Sequence, residues 1–156
     1  MRLNRDQIAA RIPHAGAMCL LDAVSDWGPD HLLCTARSHL DAANPLRSGG
    51  RLGVLCGIEY AAQAMAMHGG LRMAPPGEAG QRPKAGFLAS VRGVCAHVAR
   101  LDDGPSELLI EVHRLSGDDS RVMYEFAVRD ADRVLIEGRA TVVLDAGALL
   151  PGEGSP

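Results

Sequence analysis

Aromatic side chains and long apolar runs are both scarce in this sequence. Its 156 residues include only two Phe, two Tyr and one Trp, so a core must be built from Ala, Val, Leu and Ile. No apolar run reaches the roughly 20 residues that a membrane helix needs. The first residues contain no apolar segment of the kind that a signal peptide requires. We therefore expect a cytoplasmic protein that does not associate with a membrane.

Strong net charge and clustered metal ligands are missing as well. A formal charge of −3 argues against a large nucleic-acid-binding surface. The four cysteines are widely spaced, form no Cys-x-x-Cys pair and lie in apolar stretches, as structural thiols do: Cys19, Cys34, Cys56 and Cys95. We expect no metal ion and no cofactor. The length suits one domain, predicted at residues 1–146, with a flexible C-terminal tail at 147–156.

Turn residues divide the chain into a short helix, two strands, a long helix and four strands. The helices are predicted at about 5–11 and 51–67, and the strands at about 19–27, 31–38, 86–100, 107–115, 121–129 and 133–144. In the last two strands apolar and polar residues alternate regularly, which is typical of strands with one buried face. A run of antiparallel strands together with one buried helix predicts an α+β fold.

The long helix carries most of the functional information. It is apolar on every side, which predicts burial on all sides, and Ser48 is its expected N-cap. Glu59 and Gln63 are its strongly polar side chains, and their spacing of four residues places them on one face. One sheet cannot surround a helix alone, so we expect at least a dimer.

Two motifs resemble the 3-hydroxyacyl-[acyl-carrier-protein] dehydratases of fatty-acid synthesis. These are Arg-Ile-Pro-His at 11–14 followed by Leu-Leu-Asp-Ala-Val at 20–24, and Gly-Val-Leu at 53–55 followed by Glu59, Ala62 and Gln63. Residues 57–66 are most similar to a divergent branch of such enzymes in aryl-polyene-type pigment pathways. The resemblance implies a hot-dog fold, in which an antiparallel sheet wraps around a long central helix. It also implies an acyl tunnel at a dimer interface and a phosphopantetheine-linked substrate.

The resemblance also assigns roles to residues. Glu59 corresponds to the general acid, and Gln63 would hold its carboxyl group or an adjacent water. Gly53 and Val54 would bind substrate near the helix start, where backbone N–H groups can polarise a thioester carbonyl. His14 lies in the first motif and would also bind substrate, unless it only bonds to nearby backbone.

The position of the family's acid/base histidine is different here. In the family this histidine lies in a His-Phe-Pro-Gly loop before the helix, whereas residues 46–52 contain no histidine. The nearest candidate for the base is His39, which would have to reach Glu59 across the loop or the dimer interface. Its alternative role is that of a histidine at a strand end, bonded to the following loop.

Dehydration needs a base beside the thioester carbonyl and an acid at the departing hydroxyl. A carboxyl that acts as the acid must be protonated near neutral pH, and burial among apolar neighbours favours that form. We therefore expect Glu59 to be buried. Its alternative role is a buried carboxyl tied to Gln63 or to an arginine across an interface.

Two other functions fit the same fold. An acyl thioesterase would use Glu59 to activate water or to attack directly, with no need for a histidine. A non-catalytic subunit would bind an active hot-dog partner or acyl carrier protein, as a homodimer or a heterodimer. Since acyl carrier protein is acidic, basic residues in the loops near the tunnel would form a docking rim, unless they are scattered solvated charges: Arg47, Arg51, Arg82 and Lys84.

Overall fold

The computed structural model describes residues 2–12, 16–73, 87–118, 120–131 and 133–143. Its helices and strands, in chain order, are β1 (Leu3–Asn4), α1 (Arg5–Ala9), β2 (Ala23–Gly28), β3 (His31–Ala36), α2 (Gly57–Met73), β4 (Phe87–Ala96), β5 (Leu108–Gly117), β6 (Arg121–Arg129) and β7 (Val134–Val143). Short 3₁₀ turns precede or follow these elements at 16–18, 38–40 and 54–56. The predicted tail at 147–156 lies outside the described residues.

The strands form one antiparallel sheet with α2 against one face. The seven strands are ordered β1-β2-β3-β5-β6-β7-β4, and α2 packs on β3, β5 and β6. This arrangement confirms the α+β prediction and the sheet wrapped around a central helix. Strand β4 lies at an edge and pairs with β7 alone, so the other side of its backbone has no partner among the described strands.

Alternation of apolar and polar residues explains which face each strand buries. In β6, Val122, Tyr124, Phe126 and Val128 are buried, while the residues between them are exposed or part-exposed. The predicted turn after Gly28 is confirmed, since β2 and β3 form a hairpin there. The first predicted strand begins later than expected, at Ala23, because residues 19–21 instead pack irregularly into the core.

The predicted start of the long helix was wrong. Ser48 is not its cap; the backbone N–H of Ser48 bonds to the Arg51 carbonyl across a tight turn. Gly49 and Gly50 form this turn at φ values of +60° and +74°, which glycine adopts at little cost. The chain therefore turns first, and α2 begins only at Gly57.

The predicted end of the helix was wrong as well. Glycines at 69 and 70 were expected to stop it, but α2 continues to Met73. His68 is completely buried and Leu71 is 8% exposed, so both are part of the core. This burial outweighs the weak helix propensity of the two glycines. Within the described ranges, no helix combines the length and apolar character needed to cross a bilayer.

Candidate functional site

The outward face of α2 and the turn before it form an apolar surface around one carboxylate. Leu55 is 63% exposed, Glu59 is exposed, and Ile58, Ala62 and Ala66 are part-exposed. For this face, the burial predicted on all sides of the helix depends on the second copy that is expected from the sequence. The sheet covers α2 from one side only, and no described element covers the other.

Glu59 lies in the first turn of α2 and is exposed in the single chain, so its expected burial depends on a covering subunit and stays a prediction. Its exposure results from its place on the uncovered face. Cys56, one turn earlier, is half-buried, and its thiol pKa is raised by burial and secondarily by the Glu59 carboxylate. The role of Glu59 as an acid stays a prediction.

Gln63 is buried and bonded to the N-terminal segment. Its Nε2 donates to the Met18 carbonyl at 2.6 Å, and its Oε1 accepts from the Leu20 N–H at 2.9 Å. Among the described residues it makes no hydrogen bond to Glu59, contrary to the expectation. Gln63 follows Glu59 by one turn of α2. Because Glu59 is exposed and Gln63 is buried, the boundary between the uncovered and covered faces of the helix runs between these two side chains.

His39 is completely buried in the 3₁₀ turn at 38–40. Its Nε2 must donate to the Ser106 carbonyl, 2.8 Å away, because a carbonyl only accepts. Its Nδ1 is buried without a hydrogen-bond partner. Burial lowers the imidazole pKa, although the Ser106 bond opposes this effect. In the described structure His39 does not contact Glu59, so the expected pair is not assembled within one chain.

Arg47 holds the loop before α2 in place and is not a free rim charge. It donates to the carbonyls of His39, Asp41 and Gly50, and it pairs with Asp102 at 2.9 Å. The loop occupies its guanidinium, and its role as a carrier-protein contact stays a prediction. Asp102 was not predicted as part of the site, because it stands in a stretch typical of a turn.

Asp102 is the buried carboxylate that holds the Arg47 and Arg100 side chains in place. Its side chain is 4% exposed and accepts from Arg47 and from the Arg100 guanidinium at 2.7 and 2.8 Å. The Arg100 hydrogen bonds hold the carboxyl pKa well below its usual range. The loop of residues 38–50 is thereby fixed beside the start of α2.

A second buried network, missed by the sequence analysis, joins that loop to α2. Ser38 Oγ donates to the Leu20 carbonyl at 2.7 Å, so the Tyr60 hydroxyl, 2.8 Å away, donates to Ser38. Asn44 donates to the Tyr60 oxygen at 3.1 Å. Tyr60 directly follows Glu59 and is buried, so this network holds the first turn of α2 against the loop on the side away from Glu59.

The remaining predicted residues divide into three groups. The Val54 N–H donates to the Ala99 carbonyl at 3.1 Å, so this group is not free to bind a thioester oxygen. Gly53 and Arg51 are exposed, and their roles stay predictions. The others lie outside the described residues: His14, Arg82 and Lys84. Within the described ranges, no three His, Cys, Asp or Glu side chains gather as metal ligands would.

The described residues place one carboxylate on the outward face of α2. Glu59 offers one carboxyl on an apolar face beside a loop that two buried networks hold in place. The described chain places no base opposite it.

Comparison with known proteins gives a consistent result. A family model named ApeP-like, described as ApeP dehydratase, matches residues 6–148. The solved structure of the dehydratase heterocomplex ApeI:P from Xenorhabdus doucetiae includes a chain that is 25% identical. That match has a TM-score of 0.74 and covers 92% of this chain and 91% of the other. A comparison with curated protein sequences finds no match.

More distant structures support the fold alone. A variant of the thioesterase SAV0944 from Staphylococcus aureus has a TM-score of 0.55 at 10% identity, covering 78% of this chain and 91% of the other. A hypothetical thioesterase from Streptococcus pneumoniae, solved with coenzyme A, has a TM-score of 0.53 at 11% identity, covering 78% and 84%. The hot-dog fold expected from the resemblance is thus confirmed.

Proposed function

Because the chain belongs to the ApeP-like dehydratase family, we propose that it dehydrates 3-hydroxyacyl thioesters carried on acyl carrier protein, giving trans-2-enoyl thioesters. The observation that carries this proposal is the position of Glu59. It is the acidic residue in the first turn of α2, and it stands on an apolar face that no described element covers. A carboxyl there meets substrate and partner, whereas Gln63 and His39 are held in the core.

The site is completed by a second hot-dog subunit in this proposal. The uncovered face of α2 and the unpaired edge of β4 are two surfaces that a partner can cover. The solved relative from Xenorhabdus doucetiae is described as a dehydratase heterocomplex. A partner seated on α2 would bury Glu59 and so favour its protonated form. The partner would also supply the base, since His39 is bonded to Ser106.

The reaction then needs two proton transfers and no cofactor. The partner's base takes a proton from C2 of the acyl chain, and the electron pair forms the C2–C3 double bond. Glu59 gives its proton to the C3 hydroxyl as the C3–O bond breaks, and water leaves. Arg51, with Arg82 and Lys84, would contact the acidic carrier protein.

A non-catalytic subunit is the second candidate function. It is favoured by the bonding of His39 and Gln63, the two residues expected to act with Glu59. Both have structural partners within the chain. In that case the chain would hold the acyl group or the carrier protein while its partner provides both acid and base.

The test is mass spectrometry of 3-hydroxyacyl carrier protein incubated with the chain and its co-purified hot-dog partner. We expect loss of one water from the acyl group, and Glu59→Gln should slow this loss by at least about a hundredfold. Glu125→Gln changes an exposed carboxylate on the other face of the sheet and should leave the rate unchanged.

The other outcomes separate the alternatives. Dehydration that persists in Glu59→Gln at the wild-type rate would assign this chain a non-catalytic role. Release of free acid that depends on Glu59 would instead identify a thioesterase. His39→Gln should slow dehydration no more than it lowers the folded fraction, because we place His39 in the core.

A further inference from the structure

The first turn of α2 carries two adjacent side chains that point to different sides. Glu59 is exposed on the outward face, whereas Tyr60 is completely buried against the loop that precedes the helix. Successive residues of an α-helix are rotated by about 100° about its axis, so the direction of one side chain sets the direction of the next. The contacts that hold Tyr60 in place therefore also determine where Glu59 lies.

Two side chains of the loop hold the Tyr60 hydroxyl. It donates to Ser38 Oγ at 2.8 Å and accepts from Asn44 Nδ2 at 3.1 Å. Asn44 is buried, and its amide also fixes the loop itself. The Nδ2 group donates to the Ser38 carbonyl at 2.8 Å, and Oδ1 accepts from the Leu46 N–H at 2.9 Å. The phenol thus binds to a loop whose conformation Asn44 already stabilises.

Close packing holds the beginning of the same turn. Gly57 is the first residue of α2, and a Cβ atom at this position would lie 2.7 Å from Ile136 Cγ2 on β7. Glycine therefore allows the helix to approach the strand more closely than any other residue would. The backbone that carries Glu59 is packed against the sheet at Gly57 and hydrogen-bonded to the loop at Tyr60. Both contacts lie within two residues of the carboxylate.

We propose that Tyr60 and its two loop partners position Glu59 for proton transfer, an inference that rests on the proposed function. These three side chains do not touch the substrate. They hold the backbone of the first turn, and with it the carboxyl that gives its proton to the C3 hydroxyl. Proton transfer requires that carboxyl to lie within hydrogen-bond reach of the hydroxyl. A displacement of about 1 Å can slow a reaction by about a hundredfold.

The test compares two tyrosine-to-phenylalanine variants, each assayed with the co-purified hot-dog partner on 3-hydroxyacyl carrier protein. Tyr60→Phe removes the hydroxyl next to Glu59. Tyr124→Phe is the matched control, because it removes another buried hydroxyl, bonded to His68 Nδ1 at 2.8 Å. His68 follows Glu59 by nine residues, about 13 Å along the helix. The two variants therefore lose the same chemical group, one near Glu59 and the other far from it.

We expect Tyr60→Phe to lower kcat by at least about tenfold and to leave KM unchanged, because the groups that contact the acyl chain and the carrier protein are intact. Tyr124→Phe should keep both constants. Urea denaturation measures the folded fraction of each variant, and kcat is expressed per folded molecule. Ser38→Ala removes the acceptor of the same hydrogen bond and should lower kcat as well. Combined with Tyr60→Phe, it should add little, because both changes remove one contact.

The wild-type assay separates failure of this inference from failure of the proposed function. No dehydration by the wild-type complex would contradict the proposed function and, with it, the positioning role. If the wild type dehydrates its substrate, equal kcat values for Tyr60→Phe and Tyr124→Phe would overturn the positioning role alone. A raised KM at unchanged kcat in Tyr60→Phe would overturn it too. If Tyr60→Phe does not fold, the comparison of Ser38→Ala with Tyr124→Phe decides.

Discussion

The two faces of α2 differ in how far the described residues bury them and in whether their polar atoms have hydrogen-bond partners. Facing the sheet, Tyr60, Ala61 and His68 are completely buried, and the polar atoms of Tyr60 and His68 have hydrogen-bond partners. Facing outward, Leu55 is 63% exposed and Glu59 has no hydrogen bond to a described residue. One face of this apolar helix thus packs into the core of the chain, and the other face is exposed and able to contact a partner or a ligand.

This difference separates structural polar residues from functional ones. A buried polar group that is fully bonded stabilises the fold, and changing it costs stability. An exposed carboxylate on an apolar face contributes little to stability, so its presence needs another reason. Substitutions on the covered face should therefore lower stability, whereas substitutions on the outward face should change function or association with little effect on stability.

The largest effect on stability is expected at Gln63. Replacing it with leucine leaves the Leu20 N–H and the Met18 carbonyl without partners, which should lower the free energy of unfolding by about 2 kcal/mol. Urea denaturation followed by circular dichroism measures this. Ala62→Ser on the outward face is the control and should stay within about 0.5 kcal/mol of wild type. Equal losses in both variants would contradict the comparison.

A smaller effect is expected from pH at His68. Its pKa is lowered in the folded state by burial, so below its unfolded pKa the unfolded chain binds a proton that the folded chain does not. Stability from this group is therefore complete above about pH 6.5 and falls as pH drops, by at most about 1.4 kcal/mol per pH unit. His39, whose pKa is also lowered, adds to the same slope.

Unfolding free energies at pH 7.5, 6.5 and 5.5 test this expectation. His68→Gln should be less stable at pH 7.5 but should show a shallower decline toward pH 5.5. A His68→Gln variant with an unchanged slope would show that His68 does not carry the pH dependence.

The smallest effect on stability is expected at Leu55. Leu55→Arg should change the unfolding free energy of the chain alone by no more than about 0.5 kcal/mol, because the side chain is mostly exposed. It should nevertheless abolish association with the partner subunit, measured by analytical ultracentrifugation. Leu115→Arg places the same charge at another exposed leucine, on β5, and should leave the complex intact. Persistence of the Leu55→Arg complex would exclude this face of α2 as the interface.

Much of the fold was predictable because strands and turns depend on local patterns. The strand at Arg121–Arg129 was predicted with the bounds that the structure has, from alternation alone. The start of α2 was missed because left-handed Gly49 and Gly50 close a turn that resembled a helix cap. Its end was missed because the burial of His68 and Leu71 depends on packing, which a local glycine signal does not report.

The candidate site was less predictable because its partners are remote in sequence. Gln63 bonds to residues more than 40 positions earlier, and His39 to one 67 positions later. No local spacing reports such contacts, so both residues were assigned to catalysis. The family resemblance assigned Glu59 the role of the acid, which stays a prediction, and it did not indicate that no described element covers this residue.

The unpaired edge of β4 has a consequence for synthesis in the cell. A ten-residue strand with a free backbone side can add strands from other molecules, and an uncovered apolar helix face attracts the same contacts. Two register shifts in β4, one spanning Gly93 at φ +60°, bend this strand and interrupt a flat pairing surface. Even so, if the proposed partner subunit covers these surfaces, chains made in excess over it should be cleared by proteases or aggregate, and balanced expression of the two proteins would set the yield of functional protein.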